Sequence, residues 1–300
     1  MLDISNLVYW DNNYSLILIF NLAIAIAIFT SIRLFLGFVS HISATKELFQ
    51  KDNTAFGISL SAVLFSVTIV LTGAIYGDPI YTLGDSVIAV GLYGLLGLGL
   101  MSLTRLIFDK IALPKISISD EIIKGNITAA IVDAGNVIAT AIVIRTVMVW
   151  VDSNTIEGVV AVLVGYLISQ ILLTSTTCLR AYIYERSNKG RALKEEFTKG
   201  NVAIGLRFAG RKIGTAFAIV AASNILVFDT YGIPALLVAW GCVSVVMVAI
   251  LSFLSYLANK IILAKIDVED EIINQHNIAL GAVQFTIYLS LGMLLAALVS

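Results

Sequence analysis

The sequence predicts an all-α polytopic membrane protein, with eight transmembrane helices built from four two-helix hairpins in a parallel internal repeat. Three observations carry this expectation. Hydrophobic residues form 59% of the chain and charged residues only 13%, with a mean hydropathy of +0.95, whereas a soluble domain carries about 25% charged residues. Eight apolar segments follow one another, each near or above the roughly 20 residues that a spanning helix needs. An Asn followed by small residues recurs four times at nearly constant spacing.

The apolar segments cover 14–38, 54–76, 84–108, 127–149, 157–182, 202–227, 232–258 and 278–299. Backbone groups in hydrocarbon must be satisfied within the segment, which favours helices. Leu, Ile, Val, Ala and Gly dominate without the alternation of a membrane barrel. Only 3 prolines interrupt the chain, as long unbroken helices require. The first segment has no basic stretch before it and exceeds a signal-peptide core, so it is expected to be a retained span. A net charge of −1 gives a nucleic-acid partner no electrostatic support. Cys178 and Cys242 lie in apolar runs and suggest neither a disulfide framework nor a metal cluster.

The connections alternate in charge. YGDPIYTL, WVDSNTI and VFDTYG contain no Lys or Arg. The other connections, with the adjoining ends of the odd spans, hold 15 of the 19 Lys and Arg residues. By the positive-inside rule the basic connections face the cytoplasm and both termini face outward, into the periplasm or exterior. The basic connection 183–200, IYERSNKGRALKEEFTKG, reads as an amphipathic surface helix lying against anionic lipid.

The even spans open with KDNTAFG, KGNITAA, KGNVAIG and QHNIALG. Asn53, Asn126, Asn201 and Asn277 are spaced by 73, 75 and 76 residues, with small residues two and four positions on. Such a period is a repeat signature. DKIALPKISISDEIIKGN from Asp109 resembles NKIILAKIDVEDEIINQHN from Asn259, which divides the chain into halves at 1–150 and 151–300. Each repeated unit has an even number of spans, so all copies share one orientation. The Asn side chain is suited to cap the first helical turn, and the small residues allow close helix approach. A functional alternative places the four helix N-termini around one axis, where their dipoles favour an anion.

GNITAAIVDAG (125–135) and GNVAIGLRFAG (200–210), with KDNTAFG and QHNIALG as looser copies, resemble the DUF350 family of bacterial inner-membrane proteins. The likeness runs from about residue 10 to the end of the chain. It implies a multi-pass protein of the bacterial inner membrane, without an assigned reaction and without catalytic residues to carry over.

Polar residues inside the spans are the candidate site. Asp133 stands seven residues beyond Asn126, roughly 10 Å into its span at 1.5 Å per residue. A carboxylate at membrane depth needs protein, water, a proton or a partner around it. Asn136 is near the same helix face. Arg207, Arg211 and Lys212 lie at similar depth in the sixth span, and Gln284 in the eighth. The expected partner of Asp133 is Arg207 or Arg211. Three readings compete: a structural ion pair, a pathway lined by Asp133, Asn136, Arg207, Arg211 and Gln284, and a contact with another subunit or membrane protein. The cationic excess favours an anionic ligand or a lipid phosphate.

No zinc-ligand spacing, G-x-S-x-G motif or paired carboxylates occur, and the connections are too short for a soluble enzyme domain. Neither an enzymatic activity nor a cofactor or metal is expected. The functional expectation is a channel or transporter-like protein for a small ion or anionic solute. The alternative is a structural or accessory membrane protein that forms an oligomer or partner complex. A sealed centre at Asp133 favours the alternative, whereas a polar cavity joining Asp133 to Arg207 and Arg211 favours transport.

Overall fold

The computed structural model describes residues 12–39, 43–77, 83–114, 116–150, 155–188, 190–226 and 233–299. The short connections at 78–82, 151–154 and 227–232, His41, and the side chains of Asp85 and Glu157 lie outside the described residues. The described secondary structure is helical throughout.

The long helices are α1 (Asn12–Val39), α2 (Thr54–Gly77) and α3 (Leu83–Ile107), then α5 (Ile127–Trp150) and α6 (Ile156–Ser187) after the short α4 (Ile118–Ile123). The short α7 (Leu193–Thr198) precedes α8 (Val202–Asn224) and α9 (Ile233–Ile262). The short α10 (Val268–Ile273) precedes α11 (Ile278–Leu298). A π-helical turn, Lys46–Gln50, takes the place of a short helix before α2, and a second, Phe108–Ala112, extends α3. Seven of the long helices are apolar and long enough to cross a membrane; α8, with Arg207, Arg211 and Lys212, is not among them.

Two helices outrun their predicted ends. Helix α6 continues to Ser187 and α9 to Ile262, because the chain stays helical where it turns polar. The break comes only at residues that reverse φ, Gly190 and Lys265. Helix α7 turns its apolar side chains to protein, where an amphipathic surface helix would keep them for lipid. Leu193 and Phe197 are buried, and the Phe197 ring meets Phe208 edge-on at 5.3 Å.

Each Asn-started helix begins alike. The residue before the Asn has positive φ: Asp52 (49°), Gly125 (90°), Gly200 (82°) and His276 (54°). This ends the preceding turn and lets the Asn cap the next helix. The Asn Oδ1 accepts from the backbone N–H three residues on, from Phe56 (3.1 Å), Ala129 (3.2 Å), Ile204 (3.2 Å) and Leu280 (3.1 Å).

The four capped helices pack in sequence, α2 on α5, α5 on α8 and α8 on α11. Their N-termini therefore stand along a row rather than around one axis, and the dipole-focused anion site is not formed. Helices α3, α6 and α9 flank the row, and α1 packs on α3. In the row, 72% of the apolar stretch of α5 is buried, against 28% in flanking α9.

Small residues allow the row to close up. A Cβ at Gly210 would lie 2.5 Å from Phe285 Cα, and one at Gly281 2.7 Å from Ala203 Cα. In lipid such backbone approach supplies the dispersion contacts that hydrophobic burial supplies in water. The glycine run of α3 serves the same end: Gly94 and Gly97 face Ile28 and Val70, respectively.

Candidate functional site

The predicted polar layer separates into two centres. The first is closed. Arg105, near the end of α3, donates from Nε to Asp133 Oδ1 at 2.9 Å and from Nη2 to Oδ2. Ser59 of α2 donates to Asp133 Oδ2 at 2.6 Å and accepts from Arg105 Nη2 at 2.8 Å. Asp133 is 3% exposed, and α2, α3 and α5 meet at its carboxylate. The partner of Asp133 is thus Arg105, not Arg207 or Arg211. Position along a helix does not specify which face a residue occupies. Asn136, also buried, leaves its Nδ2 without a hydrogen-bond partner.

Arg105 does not stand out in the sequence because it lies near the end of an apolar segment, beside a basic connection. A signal existed: Arg105 and Arg180 are 75 residues apart, which matches the spacing between Asn126 and Asn201.

The second centre is a cleft of about 770 Å³ between α6, α8, α9 and α11, reaching the connection that holds α10. Arg180, Arg207, Arg211, Lys260 and Lys265 line it, with Glu269 as the one carboxylate among the described residues. Arg207 Nη2 donates to Glu269 Oε1 at 2.6 Å. Arg211 has neutral partners: its Nη2 donates to the Tyr288 hydroxyl at 2.7 Å, and its guanidinium lies 4.8 Å from the Tyr288 ring centroid. Arg180 Nη2 donates to Thr215 Oγ1 at 3.1 Å. Gln284 donates from Nε2 to Asn259 Oδ1 at 2.9 Å. Four cleft-lining side chains hold buried polar atoms without a partner: Tyr184 Oη, Arg207 Nε, Ser255 Oγ and Gln284 Oε1.

Outside the spans, burial raises the Glu269 carboxyl pKa, but the Arg207 hydrogen bond and charge outweigh it, so the net shift is downward. Glu269 therefore stands as the anionic partner of Arg207, which leaves Arg180 and Arg211 without a carboxylate among the described ion pairs.

Asp133 and Asn136 do not line this cleft, so the five-residue pathway through Asp133, Asn136, Arg207, Arg211 and Gln284 is not assembled. Lys212 is also apart. It is 1% exposed, donates to Leu173 O at 3.0 Å and Thr177 Oγ1 at 2.7 Å on α6, and lies 5.4 Å from the Phe108 ring centroid. Consecutive residues on a helix point about 100° apart, which sends Arg211 and Lys212 to different neighbours. The cysteines Cys178 and Cys242 are free and exposed.

The capping Asn residues have a second task that the sequence did not disclose. Asn53 Nδ2 donates to Ile122 O (3.1 Å), Asn126 Nδ2 to Phe197 O (2.8 Å) and Asn201 Nδ2 to Ile272 O (2.9 Å). Each bond runs from one Asn-started helix to the short helix that precedes the next. Glu47, Glu121 and Glu271 accept from the Asn that follows each of them.

The sequence profile described as Domain of Unknown Function (DUF350) matches residues 7–148 and 154–299. No curated protein and no solved structure matches the chain. Two matched segments spanning nearly all of the chain place it in a family: the protein belongs to the DUF350 family.

Proposed function

We propose that the protein crosses the bacterial inner membrane eight times, as four two-helix units of one orientation, and that its cleft admits an anionic solute for passage across the membrane. The observation that carries this reading is the convergence of Arg180, Arg207 and Arg211 on one cleft with Glu269 as the single carboxylate among its described residues. Guanidinium groups at membrane depth are costly without compensation, and intramembrane cations commonly mark a ligand or ion path. Arg211 lies ten residues beyond Asn201, about 15 Å along the helix, so the charge extends well beyond the helix mouth. The unpaired polar atoms of Tyr184, Ser255 and Gln284 suit a hydrated or ligand-filled space.

Helix α8 is taken as a span because its three cations face protein partners rather than lipid. The basic connections and the cleft mouth face the cytoplasm, with both termini outside. The closed Asp133 centre holds α2, α3 and α5 together and is outside the path.

Anion binding tests the reading directly. Sulfate or inorganic phosphate should raise the unfolding temperature of the purified protein in detergent, and Arg211→Gln should abolish that rise. An equal anion response in folded Arg211→Gln protein would remove the cleft as the site. For orientation, with Cys178 and Cys242 replaced by Ala, Ser187→Cys should label from the cytoplasm and Ser153→Cys from outside. The reverse pattern would overturn the topology.

A further inference from the structure

The row of capped helices has two unmatched ends. Its internal contacts follow one rule, seen when positions are numbered from the capping Asn. Positions +2, +9 and +13 of one helix face the next helix in the row. Thr128 meets Gly205 and Ala203 meets Gly281; Gly135 meets Ala209 and Gly210 meets Phe285; Gly214 meets Tyr288 and Gly292. These three positions are buried in each of the first three helices: Ala55, Ala62 and Ser66 in α2, Thr128, Gly135 and Ala139 in α5, Ala203, Gly210 and Gly214 in α8. In α11 the same positions are Ala279, Thr286 and Ser290, and all three are exposed.

The opposite end shows the complement. Positions +4 and +8, and in α11 also +11 and +15, receive the preceding helix. In α2 they are Gly57, Ser61, Leu64 and Thr68; Ser61 and Thr68 are exposed and the other two half-buried. The hydrogen bonds end in the same way. Asn53, Asn126 and Asn201 each reach the short helix ahead, whereas Asn277 Nδ2 donates only to Glu271, at 2.8 Å.

We propose that these two ends meet between copies of the chain. The outer face of α11 in one copy docks on the outer face of α2 in a second, which continues the contacts already made by α2–α5, α5–α8 and α8–α11. The amide of Asn277 then reaches the turn before α2, where Leu48 and Phe49 hold the places of Ile122 and Ile123. The α11 face is built for a helix rather than for acyl chains. Ala282, Thr286 and Ser290 follow at four-residue intervals, and an apolar groove of about 480 Å³ runs beside them between α9 and α11. Small residues at that spacing are typical of helix interfaces in membranes. The middle contact of the row, α5 on α8, joins the two DUF350 segments, so docking of one such unit on another already occurs within the chain. A head-to-tail contact of this kind closes into a ring or extends as a filament. The proposal does not depend on the anion reading.

Paired cysteines provide the test. Position +9 of one helix lies against +8 of the next; a Cβ at Gly135 would stand 2.7 Å from Ala209 Cβ, so where neither residue is Gly the helices sit slightly wider and the pair reaches the roughly 3.5–4.5 Å that a disulfide needs. With Cys178 and Cys242 replaced by Ala, Thr286→Cys and Ser61→Cys variants are co-expressed and oxidised in native membranes. A 286–61 disulfide between chains should form, and chains carrying both changes should give a ladder or a closed ring. Absence of that bond, or a dominant 286–286 bond, overturns the arrangement. Native mass measurement in lipid particles gives an independent reading. The assembly should weigh a multiple of 32.2 kDa and fall to monomer with Thr286→Trp, an exposed change that leaves the single chain folded. A monomeric natural protein, or a complex with a different protein at this face, would overturn the proposal.

Discussion

Asp133 and Arg105 form a buried pair between α5 and α3, tied to a third helix by Ser59. Breaking a buried pair leaves one charge uncompensated and costs about 3–5 kcal/mol. Asp133→Asn and Arg105→Gln should each lower stability in detergent unfolding by that order. Asp133→Leu combined with Arg105→Met should recover much of the loss, because removing both charges also removes their desolvation cost. A double variant as unstable as the sum of both single variants would contradict the pairing. The sequence made the partner sign of Asp133 legible, since a buried acid needs a cation. It did not make the helix face legible: Arg207 turns toward Glu269.

The Asn caps were readable from spacing alone, because capping is local chemistry. Their reach into the next short helix was not, because it depends on how the helices pack. The two tasks separate experimentally. Replacing Asn201 by Ala removes a cap, worth about 1 kcal/mol, and also the bond to Ile272 O. Replacing Asn277 removes a cap and only a bond to its own Glu271. In a monomeric detergent preparation, Asn201→Ala should therefore destabilise more than Asn277→Ala; equal losses in urea unfolding would contradict the bridging role.

The Glu269–Arg207 contact ties α10 to α8. The Glu269 pKa is lowered from 4.5, so this contact contributes stability above that value and loses it as pH falls through the lower folded value. Below pH 4.5 the natural protein should lose more stability than Glu269→Gln protein. Identical acid profiles would show that the contact contributes nothing. Its size should be small, since Glu269 is 54% exposed.

Across the whole molecule, composition alone indicated a multi-helix membrane protein, and the Asn spacing marked the starts of α2, α5, α8 and α11. Helix α8 is surrounded in the row, with 16 of its 23 residues buried, and its three cations meet protein partners. The cleft was not legible because Arg180, Arg207 and Arg211 come from two helices whose facing follows from packing. Anion flux into proteoliposomes tests the central claim most directly, with the natural protein compared to Arg180→Gln, Arg211→Gln and the paired change Asp133→Leu with Arg105→Met. The account predicts flux that the first two variants abolish and the paired change retains. No flux of any small anion with correctly folded protein, or flux that survives loss of both Arg180 and Arg211, would contradict it.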